Sequence, residues 1–590
     1  MIHYTEKNLL PASRYYCRKP GKQTIQRTTE LNSYVYFASM QLTSIARSFI
    51  TSLITFSIAL AATAQIGTGN AIPTRQDSLR GSINNERSWW DVTRYDISVT
   101  PNFAGKTING KVIMKFTVKE IGNMMQIDLQ HPMQLNEAVL NGKELKFNRE
   151  GNVYHVNINE VLERGSLQSI SLSFSGIPTE AIRPPWDGGW IWRKDSRGNP
   201  WMSVACQGIG ASVWYPCKDH QSDEPEKGAS LAITVPPGLT GVGNGRLLKT
   251  DSMPDGSSTW YWEVTNPINN YNIIPYIGKY VHWSEKHEGE KGILDLDYWV
   301  LEENLDSAKK QFSQVHPMMT CFESWFGAYP FYEDGYKLVE SPHLGMEHQS
   351  AVAYGNKFKN GYLGRDLSGS GWGLKWDFII IHETGHEWFG NNITTNDIAD
   401  MWVHESFTNY SETLYTECQY GKEAGNDYLV GIRKNIKNDI PIIGAYGVNR
   451  EGSGDMYYKG SNMIHNIRQV INDDQKFRSL LRDMNKKFYH QTVSSSVLEK
   501  YISDYCGRDL SKIFDQYLRT TQVPQLTYKP KGKKMLYRWE NTVPGFEMPV
   551  KVFLDGKETW LSATTSWKKK KGNPATLKAD RNFYITLKKS

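Results

Sequence analysis

Between Trp89 and about Val300 the chain sets apolar and polar residues in short alternating runs broken by turn residues. Asp96–Thr100, Val112–Val118, Glu137–Leu140, Ser169–Phe174, Ala232–Val235 and Ser258–Val264 carry this two-residue period or a β-branched enrichment, which predicts half-buried strands. The period then changes. From Leu305 to Gly327, and again over 375–389, 403–420 and 460–470, apolar residues return at three- and four-residue steps, the spacing of one helix face. Beyond Arg519 strands are expected once more. Val550–Leu554 and Glu558–Leu561 flank Asp555-Gly556, a dipeptide suited to the left-handed positions of a tight hairpin, and Asn582–Leu587 alternates. The pattern predicts a multidomain α+β chain with an N-terminal β domain over 88–301, an α-rich block over 302–520 and a C-terminal β module over 521–590.

The first 87 residues fit none of these units. Phe49–Ala62 is a largely apolar stretch preceded by Arg47 and followed by Ala62-Thr63-Ala64. It is shorter than the about 20 residues that a membrane-spanning helix needs, and it has the charged start, apolar centre and small-x-small end of a cleavable leader. A signal peptide over 40–64, an upstream extension over 1–39 outside the fold and a polar linker over 65–87 are expected, with export to the periplasm or the medium and no membrane span in the mature chain. Composition adds a limit on partners. Hydrophobic residues make up 39% and charged residues 22%, a globular balance that excludes a disordered or polytopic membrane chain. The net charge of +6 hides a split, because residues 529–590 sum to +10 and residues 65–528 to −9. An acidic body gives no reason to expect nucleic acid as the partner, and the run Lys568–Lys571 reads as a solvated edge. Six cysteines without a C-x-x-C pair argue against a thiolate zinc ribbon, redox chemistry or a dense disulfide framework.

The candidate chemistry lies in Ile381-His382-Glu383-Thr384-Gly385-His386-Glu387. Histidines four residues apart on a helix share a face about one turn apart, so both imidazoles can close on one metal ion. Zinc suits neutral imidazole and carboxylate donors, and a catalytic site takes three protein ligands with a fourth position open. Glu405, separated from His386 by eighteen intervening residues and on the next predicted helix, is the candidate third ligand. Glu383, beside His382 in sequence, can reach a water without occupying a ligand position and is the candidate general base. His404 adjoins Glu405 but points elsewhere on a helix and is not expected to bind. Asp400 is either a partner that holds a ligating histidine or a plain helix-start acid.

These motifs resemble the aminopeptidase N and leukotriene hydrolase family of zinc metallopeptidases, the gluzincin aminopeptidases, in which H-E-x-x-H is followed after eighteen residues by Glu within W-x-x-E-x-F. The family's G-x-M-E-N segment is similar to Gly345-Met346-Glu347-His348, with His348 where Asn is usual, and its Y-x-K-G segment to Tyr457-Tyr458-Lys459-Gly460. Cys206-Gln207, in a segment ending Tyr215-Pro216-Cys217, resembles the stretch that places a Gln at the amine site. The resemblance implies one Zn²⁺ held by His382, His386 and Glu405, catalysis by Glu383 with Tyr457 as an oxyanion donor, and substrate binding by Gln207, Gly345, Met346 and Glu347. It further implies a saddle-like N-terminal β domain, a thermolysin-like α-rich catalytic domain and a small C-terminal β-sandwich; family members commonly continue with a helical domain that covers the cleft, but the residues after Arg519 read as strands, so no C-terminal helical domain is expected. The expected activity is hydrolysis of the N-terminal residue from peptides with a free N-terminus by a zinc-activated water. A zinc endopeptidase on the same scaffold and a non-catalytic secreted binding protein are the alternatives.

Overall fold

The computed structural model describes residues 72–590; the expected upstream extension, the signal peptide and the start of the linker lie outside the described residues. The fold is mixed α and β. Trp90–Asn102 and Thr107–Val118 pair antiparallel at the centre of an eight-stranded sheet, and Ala229–Val235 joins Trp90–Asn102 in parallel. The inward residues of these strands, among them Tyr95, Val112, Met114, Phe116 and Ile233, form one buried core. Each predicted strand of this region lies within an observed one, because alternation sorts residues to the two faces of a sheet whatever its pairing.

Two expectations about boundaries fail. Residues 72–87, assigned to a linker, contain the helices Arg75–Gly81 and Asn85–Ser88, and Arg87 is fully buried against Asp128. Their polar sequence concealed packing made through guanidinium groups rather than apolar side chains. The boundary at 301/302 also cuts through a sheet. Tyr280–Gly289 and Gly292–Leu301 form a hairpin that continues through Tyr336–Glu340 and Val352–Tyr354 to the edge strand Gly345–Met346. Sequence neighbours in a hairpin follow their sheet partners, which here lie some forty residues downstream.

Helices follow. The long run expected over Leu305–Gly327 is two helices, Leu305–Phe312 and Val315–Phe326, and the run over 375–389 is helical only at Phe378–Gly385. Trp402–Tyr420 packs against Phe378–Gly385, Tyr458–Ile471 packs in turn against Trp402–Tyr420, and a Cys321–Cys418 disulfide joins Val315–Phe326 to Trp402–Tyr420. The C-terminal strands form a four-stranded and a three-stranded sheet. Asp555 and Gly556 both take positive φ between Glu547–Leu554 and Lys557–Thr564, as their dipeptide predicts. Lys568–Lys571 is a sheet edge, whereas of Asn582–Leu587 only Thr586–Leu587 lies in a strand, Thr586–Lys589, and Phe583 turns into the core. That core is continuous with the helices: Trp539, Val550 and Phe583 belong to the same apolar cluster as Ile381, Phe407 and Tyr517. Among the described residues no helix is long and apolar enough to cross a membrane.

Candidate active site

The helix Phe378–Gly385 is buried on every side, which explains its three consecutive isoleucines. Asp377 caps it by accepting from the Ile379 and Ile380 amides, and its other oxygen is held by Tyr354 and Gln311. Gly385 faces the helix Trp402–Tyr420 so closely that a Cβ there would lie 2.5 Å from Ser411 Oγ. That close approach brings Glu405 to the histidines. His382 Nε2 and His386 Nε2 lie 3.7 Å and 3.4 Å from Glu405 Oε2.

The opposite edges of both rings are already engaged. His382 Nδ1 lies 2.7 Å from Glu412 Oε1, and His386 Nδ1 lies 3.0 Å from the Phe389 carbonyl. Both partners can only accept, so each Nδ1 donates to its partner and each Nε2 is left turned toward Glu405. Burial alone would lower the His382 pKa, yet the Glu405 and Glu412 carboxylates lift it well above its ordinary value. Burial likewise opposes charge on Glu405, and the two imidazoles overcome it and hold its pKa well below the carboxylate range. The point where these atoms converge is built for positive charge.

Zinc fits this donor set. Glu405 Oε2 is buried without a hydrogen-bond partner, and the three donor atoms lie within 4.8 Å of one another. Tetrahedral donors about 2.0–2.1 Å from zinc stand about 3.3–3.4 Å apart, close to the separations seen here. The ring nitrogens turned away from Glu405 have the hydrogen-bond partners that orient ligating histidines.

The remaining expected residues gather around the same point. Glu383 is buried, and burial pushes its pKa up to about 7 against the opposing pull of His382. Gly345 sits against it, since a Cβ would lie 2.8 Å from Glu383 Oε1. Carboxylate atoms of Glu347 and Glu383 and a ring nitrogen of His386 lie within 4.8 Å of one another. Glu347 Oε1 accepts from Gln207 Nε2 at 2.6 Å and from Tyr271 Oη at 2.9 Å. Burial raises its pKa; His386 opposes and Glu405 adds to the rise. Met346 is buried beside it. The Tyr457 ring stacks on His382 with centroids 6.0 Å apart, and burial with the facing Glu405 and Glu451 carboxylates raises its hydroxyl well above pKa 10.0. Tyr457 is set by its own chain: Ser406 Oγ donates to the preceding Met456 carbonyl at 2.7 Å.

Other expectations divide. His404 points away, its Nε2 accepting from the Thr395 amide at 3.1 Å. Asp400 holds no histidine; it binds Tyr446 Oη and the amide and hydroxyl of Ser495. The carboxylate that orients a ligating histidine is Glu412, whose oxygens also take Asn409 and Tyr428. Its position seven residues beyond Glu405 on one helix, hence on one face, was the available signal. His348 is buried and bound to Tyr276 Oη, and burial drives its pKa well below 6.5, so it stays neutral. Tyr271 and Arg80 left no signal. Arg80, from the unexpected helix Arg75–Gly81, donates to the carbonyls of Gly208 and Ile209 and so braces the turn that carries Gln207.

Comparison with known proteins agrees with this geometry. Residues 317–517 match the peptidase family M1 domain. The chain is 22% identical over 454 residues to an aminopeptidase N of Lactococcus lactis subsp. lactis, covering 73% of this chain and 51% of that protein. It is 21% identical over 337 residues to a leukotriene A-4 hydrolase of Xenopus laevis, covering 54% and 52% of the two chains. It therefore spans about half the length of the curated relatives it matches. The crystal structure of an M1 zinc metallopeptidase from Deinococcus radiodurans superposes with a TM-score of 0.63 at 19% identity, covering 74% of this chain and 95% of that one. A mutant of that enzyme bound to a Tyr-Ser-Ala substrate gives a TM-score of 0.61 at 19% identity over 74% of this chain and 96% of that one. Residues 317–517 are accordingly similar to the peptidase family M1 domain, and the fold is similar to that of M1 zinc metallopeptidases.

Proposed function

We propose that this chain is a zinc-dependent aminopeptidase that removes the N-terminal residue from peptides. One observation carries the reading: the Glu347 carboxylate lies within 4.8 Å of Glu383 and His386 in one buried site. A free α-ammonium paired with Glu347 leaves room for a single residue before its carbonyl meets Glu383. Burying that ammonium unpaired would cost far more than pairing returns, and a blocked N-terminus would leave Glu347 unmatched. The same carboxylate thus selects chain ends and rejects internal bonds.

His382, His386 and Glu405 would hold the zinc, which supplies an acidified water and a polarised carbonyl when bound. Glu383 takes the proton of the attacking water and returns it to the leaving amine, a task suited to a carboxyl held near neutrality by burial. Tyr457 donates to the oxyanion, a contribution of about 2.7–4 kcal/mol where such a donor is removed. Gln207 and Tyr271 engage one oxygen of Glu347 and leave the other for the ammonium. The backbone of Gly345 and Met346, at a sheet edge, pairs with the substrate chain.

The finer architecture belongs to this proposal: a saddle-like domain of N-terminal strands, a thermolysin-like catalytic domain and a C-terminal β-sandwich. So does export to the periplasm or the medium, which rests on the leader-like stretch Phe49–Ala62. The test is hydrolysis of aminoacyl-anilides by the purified protein, with N-acetylated controls and a chelator. Activity that survives chelation refutes the metal mechanism, and cleavage of acetylated substrates refutes the exopeptidase assignment.

A further inference from the structure

A cavity of about 800 Å³ borders the site just described without belonging to it. That size falls among pockets that enclose ligands of several hundred daltons, about 300–1,000 Å³. Ser341, Pro342, His343 and Leu344 form one wall, and the same stretch of chain continues into Gly345, Met346 and Glu347. The order along this stretch is informative. Glu347 stands at the amine anchor, Gly345 touches Glu383, and Leu344 and His343 come next. Gly345–Met346 is the outermost strand of its sheet, so its outward backbone groups can receive an extended chain. A peptide with its amine at Glu347 and its first peptide bond at Glu383 runs antiparallel to that strand. Both chains advance about 3.3 Å per residue, and the peptide's third and fourth residues arrive where His343 and Leu344 open into the cavity.

The lining has a definite chemistry. Trp186, Trp201 and Phe358 supply apolar surface. Lys310 and Lys357 are exposed at the cavity, and neither forms an ion pair among the described residues. The one carboxyl on the wall, Glu340, is turned to the Leu301 amide at 2.8 Å and to Asn304 Nδ2 at 2.7 Å. Burial raises its pKa to about 7, and both its oxygens are spent on these donors rather than on the lysines.

The rim is also held in an unusual backbone. Lys357 and Phe358, two successive residues with side chains, take φ of 56° and 52°. Such left-handed positions are costly without glycine and persist where the surroundings enforce them, commonly at ligand sites. Here Asn356, fully buried, does the enforcing. Its Nδ2 donates to the carbonyls of Lys359 and Gly361 and to Asp377 Oδ1, and its Oδ1 accepts from the Leu363 amide. Asp377 is the residue that caps the helix carrying His382. The basic rim is therefore tied rigidly to the catalytic helix.

We propose that this cavity receives the substrate from about its third residue onward, and that Lys310 and Lys357 select peptides presenting a carboxylate there, from an acidic side chain or from the free C-terminus. The inference rests on the aminopeptidase reading and extends it to the substrate class. Tetrapeptides sharing their first two residues test it: one with Asp at positions three and four, one with Lys there, and a neutral one with its C-terminus free or amidated. For each, kcat/KM is divided by that of the anilide of the same first residue, which has no chain to place in the cavity. In the wild-type protein the Asp peptide should exceed the Lys peptide by about tenfold, the scale of two partly exposed charge pairs. The K310E/K357E protein should reverse that order. A preference for the free over the amidated neutral peptide assigns the carboxylate to the C-terminus, and a preference only for Asp assigns it to side chains. Identical ratios in the two proteins overturn the proposal, whereas absence of anilide hydrolysis from both overturns the aminopeptidase reading instead.

Discussion

The substitution Glu412→Gln isolates one carboxylate that the metal site needs but that no ligand motif contains. Glu412 is fully buried and accepts from three donors: His382 Nδ1 at 2.7 Å, Asn409 Nδ2 at 2.8 Å and Tyr428 Oη. Glutamine is nearly isosteric. Its oxygen can keep the bonds to His382 and Asn409 while its amide faces Tyr428, whose hydroxyl can turn to accept. The geometry survives and the charge goes. Without that charge His382 is a weaker base at Nε2, and replacing such an outer partner lowers metal affinity about 10–100-fold, equivalent to about 1.4–2.7 kcal/mol. Glu412→Ala would add the cost of stranded buried donors, about 1–3 kcal/mol for each one left unpaired, so its thermal unfolding should fall where that of Glu412→Gln does not. Zinc affinity measured by competition with a chromogenic chelator, read beside the melting temperature, separates the two effects. Wild-type zinc affinity in Glu412→Gln refutes the argument.

Gly345→Ala should lower kcat about a hundredfold while zinc content stays full, because its Cβ would stand 2.8 Å from Glu383 Oε1 and an ångström of misplacement costs about that much; an unchanged kcat would show that Glu383 has room to move. Arg80→Met should raise KM for free-N-terminus substrates about tenfold with kcat nearly kept, since it loosens the turn that carries Gln207 and the neighbouring Asp219 while touching neither Glu383 nor the histidines, and a loss confined to kcat would contradict this. Stability should fall with acid. Burial lowers the pKa values of His220 to about 3 and of His343 and His490 to about 4, from 6.5. Below pH 6.5 the unfolded chain binds protons that the folded chain refuses, so the stabilisation is complete above that pH and is lost as pH falls toward 4. His490→Gln should flatten the melting-temperature slope across this window, and an unaltered slope would exclude His490 as a contributor.

The strands of the N-terminal region and the hairpin at Asp555-Gly556 were legible because alternation and left-handed turn residues act over a few neighbouring positions. Helix ends were less so. The expected helix over 375–389 stops at Gly385 because the segment after it turns back to deliver the Phe389 carbonyl to His386. The supposed linker was misread for a related reason: Arg80 and Arg87 earn their places through carbonyls and a carboxylate that lie far along the chain.

The amino-acid sequence alone determined the pairing of His382 with His386, since four residues on a helix make one turn, and it pointed to Glu405 and Glu383 through their spacing from that pair. Only the tertiary structure decided which groups support them. Arg80, Tyr271 and Glu412 come from segments far apart along the chain, and the side chains that meet there do so because Gly385 and Gly345 let backbone and carboxylate approach closely. Local periodicity encodes a face; which faces meet is set by the packing of the whole core.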